Sequence, residues 1–217
     1  MLSIVKKNMS YFIGYALVVF ILTAILTVAL GNDNAVPLVL ISGVLVFMLV
    51  FGPVFFNEQY EEKHKGYDFL DILPVDASEI VAAKFGLVLL TAAATTGYLL
   101  LLFSVFRIAP NDWALVRSYI LTDGVACLLF ASLSYIGIFS LGYTKFAMIV
   151  MSFFVLLGFV PIFIMRYYKD NMDILVGNIT AFLRGVNWGA VIPLALIVYA
   201  GLMFIAIKIK ERTGTKG

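Results

Sequence analysis

The chain has 217 residues, of which 63% are hydrophobic and 13% charged, with a formal net charge of +2 and a mean hydropathy of +1.04. Soluble domains carry about 25% charged and about 45–50% apolar residues, so these figures exclude a soluble globular domain and predict a polytopic membrane protein. A single cysteine, Cys127, excludes an intrachain disulfide, and with one histidine, His64, it excludes a Cys/His metal centre.

A helix crosses about 30 Å of hydrocarbon with about 20 mostly apolar residues. Six segments meet that requirement, and none alternates as a barrel strand would, so the expected fold is all-α. The first is Tyr11–Leu30. It follows Lys6 and Lys7 but leads into Gly31-Asn32-Asp33-Asn34, not a small-residue cleavage site, and is expected to stay as a span. Val36–Phe56 is the second, and a polar loop from 57 to 84 follows it. The third, Phe85–Phe106, contains Thr91-Ala92-Ala93-Ala94-Thr95-Thr96-Gly97, small enough on every side to permit close helix approach. Ser118–Tyr143 and Phe146–Ile164 come next. A loop from 166 to 187 then carries "MDILVGNITAFL", which predicts a short apolar helix before the last span, Trp188–Ile207. No repeat or linker divides the chain, so residues 1–217 form one membrane domain.

Lys and Arg in the loops set the orientation. Lys6, Lys7, Lys63, Lys65, Lys84, Lys145, Lys208, Lys210, Arg212 and Lys216 fall on one side of six spans; Arg107, Arg117, Arg166, Lys169 and Arg184 fall on the other. The richer side is expected to be cytoplasmic, with both termini and the 57–84 loop on it. Trp113 and Trp188 fall at outer boundaries, where indole prefers the headgroup zone.

The stretch "NEQYEEKHKGYDFLDILPVDASEIVAAKF", Asn57–Phe85, holds seven of the 13 acidic residues and the histidine. Pro74 stops a helix arriving from upstream. Asp76 and Glu79 then form a D-x-x-E capping box, with Val75 and Ile80 as a hydrophobic staple. Asp76 is expected to accept the Ser78 or Glu79 amide, starting a helix near Ala77, before the bilayer. Upstream, Phe69, Leu70, Ile72 and Leu73 share one face at helical spacing and Asp68 and Asp71 the other, which predicts a short amphipathic helix. An acidic polar face argues against seating on anionic lipid. Two fates stay open on the residues alone: packing against the chain's own helix ends, or insertion into a groove on a partner.

Glu61-Glu62, Lys65-Gly66, Leu70, "LPV" (Leu73-Pro74-Val75), Glu79-Ile80-Val81 and Lys84-Phe85 resemble the cytoplasmic loop of ABC-2 type transporter permeases, and the six-span layout agrees along the whole chain. The resemblance implies the ABC-2 exporter fold in a multi-pass protein of a bacterial cell membrane. It implies that the loop helix couples the spans to a separate ATP-binding subunit, and that a second permease chain, expected to be identical, completes the exporter. On this resemblance Tyr67, Phe69, Leu70, Ile72 and Leu73 form the docking face, with Glu58, Glu61 and Glu62 as polar contacts near the same cleft. ATP and Mg would belong to the partner, and the chain itself would hold no cofactor or metal. A segment before the first span, Leu2–Ser10, is expected to lie flat at the membrane.

The residues also exclude several activities. No G-x-x-x-x-G-K-[ST] phosphate loop is present, since the terminal "RTGTKG" lacks its spacing. His64 lies among loop charges, away from membrane depth, so neither a Ser/His nor a metal-assisted hydrolase is supported, and no catalytic residue is expected. The spans are poor in ionisable groups, which argues against ion-coupled transport. Asp123 is expected at the outer interface near Arg117. A path lined by apolar side chains and small hydroxyls suits an amphipathic or lipophilic cargo such as a peptide or antibiotic. No nucleic-acid partner is expected. Two competing readings are the substrate-binding membrane subunit of another transporter class, which would lack the helix-bearing loop, and a scaffold or sensor that docks a partner but moves nothing.

Overall fold

A computed structural model describes residues 35–63, 76–106, 113–153 and 172–214, together with Leu17, Phe20, Ile21 and Ile25. Every element among them is a helix: α1 Ala35–Lys63, α2 Ala77–Val105, α3 Trp113–Leu141, α4 Tyr143–Phe153, α5 Met172–Gly185 and α6 Trp188–Gly214. α2, α3 and α6 are long and apolar enough to cross a membrane. At about 1.5 Å per residue, the 29 residues of α2 measure about 43 Å, more than the hydrocarbon thickness. Only 17% of the most apolar window of α6 is buried within the chain, and Leu194, Ile197 and Phe204 are exposed. Such a surface is stable against lipid, where apolar exposure carries no hydration penalty.

The central helix is α3, which packs against α1, α2, α5 and α6, while α2 also packs against α1 and α6. Its buried face includes Val116, Ile120, Leu128, Ala131, Tyr135 and Ile138, which recur at roughly helical spacing. Phe20 lies beside α2: Tyr98 Oη donates to the Phe20 carbonyl at 2.8 Å, and their rings are 4.5 Å apart. Leu17, Ile21 and Ile25, four residues apart, form an exposed stripe.

Small residues set the α2–α3 approach. A Cβ on Gly124 would lie 2.3 Å from Thr96 Oγ1, so the small run on α2 meets a glycine on α3. Gly124→Ala is expected to cost about 1–3 kcal/mol by overpacking. Adding Thr96→Ala, which removes both Oγ1 and Cγ2, is expected to recover most of it. Thermal unfolding of the two single variants and the double variant in detergent checks this, with a zero interaction energy as the contrary result.

α3 ends because Gly142 adopts φ +82°. Its amide still donates to the Ile138 carbonyl at 2.8 Å, and its carbonyl accepts from Phe146 at 3.1 Å, so one left-handed residue separates α3 from α4. Gly142→Ala is expected to cost about 1–2 kcal/mol, because Cβ disfavours that conformation. A lowered unfolding midpoint checks it.

Candidate functional site

The site is built where the 57–84 loop leaves and re-enters the bundle. α1 runs seven residues past the expected span end, to Lys63, and α2 starts at Ala77. Asp76 is the N-cap residue, with extended backbone at φ −67° and ψ 146°. Its carbonyl accepts the Glu79 amide at 2.9 Å and the Ile80 amide at 3.2 Å, while its carboxylate makes no cap hydrogen bond. The helix therefore starts at the expected residue, but the expected carboxylate cap is corrected to a backbone one. Asp76 and Glu79 are both exposed, and their negative charge still favours the positive helix end.

Two turns into α2, Lys84 is fully buried. Its Nζ donates to Glu58 Oε1 and, at 2.9 Å, to Glu61 Oε2. The two glutamates stand one turn apart on α1, so both carboxylates reach one ammonium. Nζ also lies 5.7 Å from the Tyr135 ring centroid and 5.8 Å from that of Phe139, within cation–π range. Phe85, the next residue, accepts a hydrogen bond at its carbonyl from Tyr199 Oη of α6. Its ring is 5.5 Å from Tyr199 and 5.9 Å from Tyr135. Burying an ion pair is expensive unless it is closely paired, as here. The cluster is still incompletely satisfied: Glu58 Oε2 and Asn57 Nδ2 are buried without a hydrogen-bond partner among the described residues.

This arrangement corrects the expectation that Glu58 and Glu61 face a partner's cleft. Their side chains are 1% and 2% exposed, turned toward Lys84. Glu62, on the next position around α1, is exposed and accepts a hydrogen bond from Thr144 Oγ1 at the start of α4. Phe55 and Tyr143 add an edge-on ring contact at 6.0 Å between the same two helices. A pocket of about 260 Å³ beside Glu62 is lined by Gly142, Tyr143, Lys210 and Thr213. Lys84 was expected among the loop charges; its removal from that count leaves the asymmetry pointing the same way. Tyr67, Phe69, Leu70, Ile72 and Leu73 lie outside the described residues, as do His64 and the pre-span segment Leu2–Ser10.

The burial of Lys84 between Glu58 and Glu61 is what sequence reasoning missed. The available signal was a lysine inside "IVAAKFGLVLL", which calls for counter-charges, and two glutamates at helical spacing across the loop.

Elsewhere, an apolar groove of about 320 Å³ opens between α2, α3 and α6, walled by Leu89, Ala93, Thr96, Gly97, Val125 and Ile192. Trp188 Nε1 donates to Ser118 Oγ at 3.1 Å, fixing the start of α6 against α3. Among the described residues no group of three or more His, Cys, Asp or Glu side chains is placed to hold a metal ion.

Compared with known proteins, the chain matches the family model described as "ABC-2 family transporter protein" over residues 2–211. No curated protein and no solved structure matches it.

Proposed function

Because the chain belongs to the ABC-2 family of transporter proteins, we propose that it is the membrane subunit of an ATP-driven exporter, coupled to a separate ATPase through the loop between α1 and α2. The observation that carries this reading is the family match over nearly the whole chain, joined to a loop whose two helical roots are tied together by buried charge. A loop rooted in that way is suited to receive force from a soluble partner.

In this reading Tyr67, Phe69, Leu70, Ile72 and Leu73 present the docking face, with Glu62 as the polar contact at its edge. Glu58 and Glu61 act from inside the bundle. The charge asymmetry of the loops supports cytoplasmic termini and a cytoplasmic docking loop. The apolar groove and the scarcity of charge along the spans support an amphipathic or lipophilic cargo. A second copy of the chain completes the path. Hydrolysis of ATP falls to the partner, for which the chain has no phosphate loop.

The test is co-purification. The tagged chain, co-expressed with the products of neighbouring genes, is expected to bring down an ATPase in mild detergent, and Leu70→Asp is expected to lose it. Absence of any ATPase would leave the scaffold reading in its place.

A further inference from the structure

Two consecutive residues of α2 touch three other helices. Lys84 binds the Glu58 and Glu61 carboxylates of α1 and lies over two aromatic rings of α3, while the Phe85 carbonyl holds the hydroxyl of Tyr199 on α6. Neighbouring positions on a helix point about 100° apart, so one turn of α2 is gripped from several sides.

The grips differ in stiffness. Withdrawing Lys84 from Glu58 and Glu61 would strand charges in a buried site, and such separations are strongly disfavoured. The ends of α1 and α2 must therefore move together. The ring contacts on α3 are less directional and tolerate sliding. Two carboxylates share one ammonium and Glu58 Oε2 lacks a hydrogen-bond partner among the described residues, so the cluster is not built for stability alone. Apolar side chains of similar volume would serve stability as well or better. What charge adds here is a fixed geometry between two helix ends.

We propose that Lys84 is the positioning residue that makes the two roots of the coupling loop one mechanical unit and passes the loop's displacement to α3 through Tyr135 and Phe139, and to α6 through Tyr199. The inference rests on the permease reading and adds to it the route by which force on residues 64–75 reaches the spans. Such coupling runs through contiguous packed and hydrogen-bonded groups.

The experiment uses the full-length chain with its captured ATPase in lipid nanodiscs. Hydrogen exchange of peptides from α3 and α6 is followed with and without MgATP plus vanadate. The variants are Lys84→Met, the charge-free Glu58→Gln/Glu61→Gln/Lys84→Met, Tyr199→Phe, and Lys208→Met. The last breaks an exposed 2.8 Å pair with Glu211 and serves as the control.

The native chain and Lys208→Met are expected to show a nucleotide-dependent change in α3. In the charge-free variant that change is expected to shrink by about two- to thirtyfold, the range available to residues along a coupling network, with capture of the ATPase intact. Tyr199→Phe removes one hydroxyl and keeps the ring; it is expected to weaken the α6 response while sparing α3. A charge-free variant that binds the ATPase and keeps the native response would overturn the inference. So would a native complex whose nucleotide response never reaches α3 or α6. Failure of the native chain to capture any ATPase would instead bring down the permease reading, and this inference with it.

Discussion

Lys84→Met is expected to lower the stability of the isolated chain by about 3–5 kcal/mol, the usual cost of breaking a buried ion pair from one side. The side chain is fully buried, and its removal leaves Glu58 and Glu61 without the ammonium that both of them bind. Methionine fills much the same volume, so the loss reports charge, not a cavity. The charge-free Glu58→Gln/Glu61→Gln/Lys84→Met variant is expected to recover most of that loss, because no buried charge is left unpaired. Glu62→Gln, one residue along but exposed, is expected to change stability by about 0.5 kcal/mol or less, as surface substitutions do. Fluorescence of Trp113 and Trp188 during thermal unfolding in detergent reads all four proteins. A Lys84→Met chain that melts with the native one would mean that the ammonium is not buried between the two carboxylates.

The same cluster marks how far the sequence carries. Start and stop signals were legible where they are local. Pro74 and Asp76 placed the beginning of α2 at Ala77, the run around Thr96 announced a close helix approach, and the apolar residues of "MDILVGNITAFL" announced the helix Met172–Gly185. What was not legible was how far the helix of α1 runs past its span. Ending the span at Phe56 followed the loss of apolar residues, but the helix continues to Lys63 because Glu58 and Glu61 find a cation inside the bundle. That cation is 23 to 26 residues away along the chain, across a loop. No periodicity encodes such a pairing, since it depends on how α1 and α2 pack. The Asp76 cap failed for a smaller reason. A capping box fixes where a helix starts, but a solvent-exposed carboxylate is free to leave its bond to water while the backbone carbonyl holds the first turn.

Leu70→Asp is expected to weaken capture of the ATPase by about thirtyfold or more, the loss that goes with a hot-spot side chain at the centre of an interface. On the amphipathic helix expected from the sequence, Leu70 would share the apolar face with Phe69 and Ile72, opposite Asp68 and Asp71. Aspartate there places a charge in the groove and extends the acidic face around the helix, so it opposes docking by desolvation and by like-charge repulsion together. The helical bundle is expected to stay folded, because the docking reading gives Leu70 its contacts on a partner. An unfolding midpoint equal to that of the native chain separates lost docking from lost folding. Asp71→Leu is the complementary change. On a helix docked by its apolar face alone it leaves capture unchanged; on a helix that also uses its acidic side it weakens capture and reduces its dependence on salt. A Leu70→Asp chain that still brings down the ATPase at native yield would remove Leu70 from the docking face. The contact would then have to be sought at Glu62, Thr144 and the pocket beside Lys210.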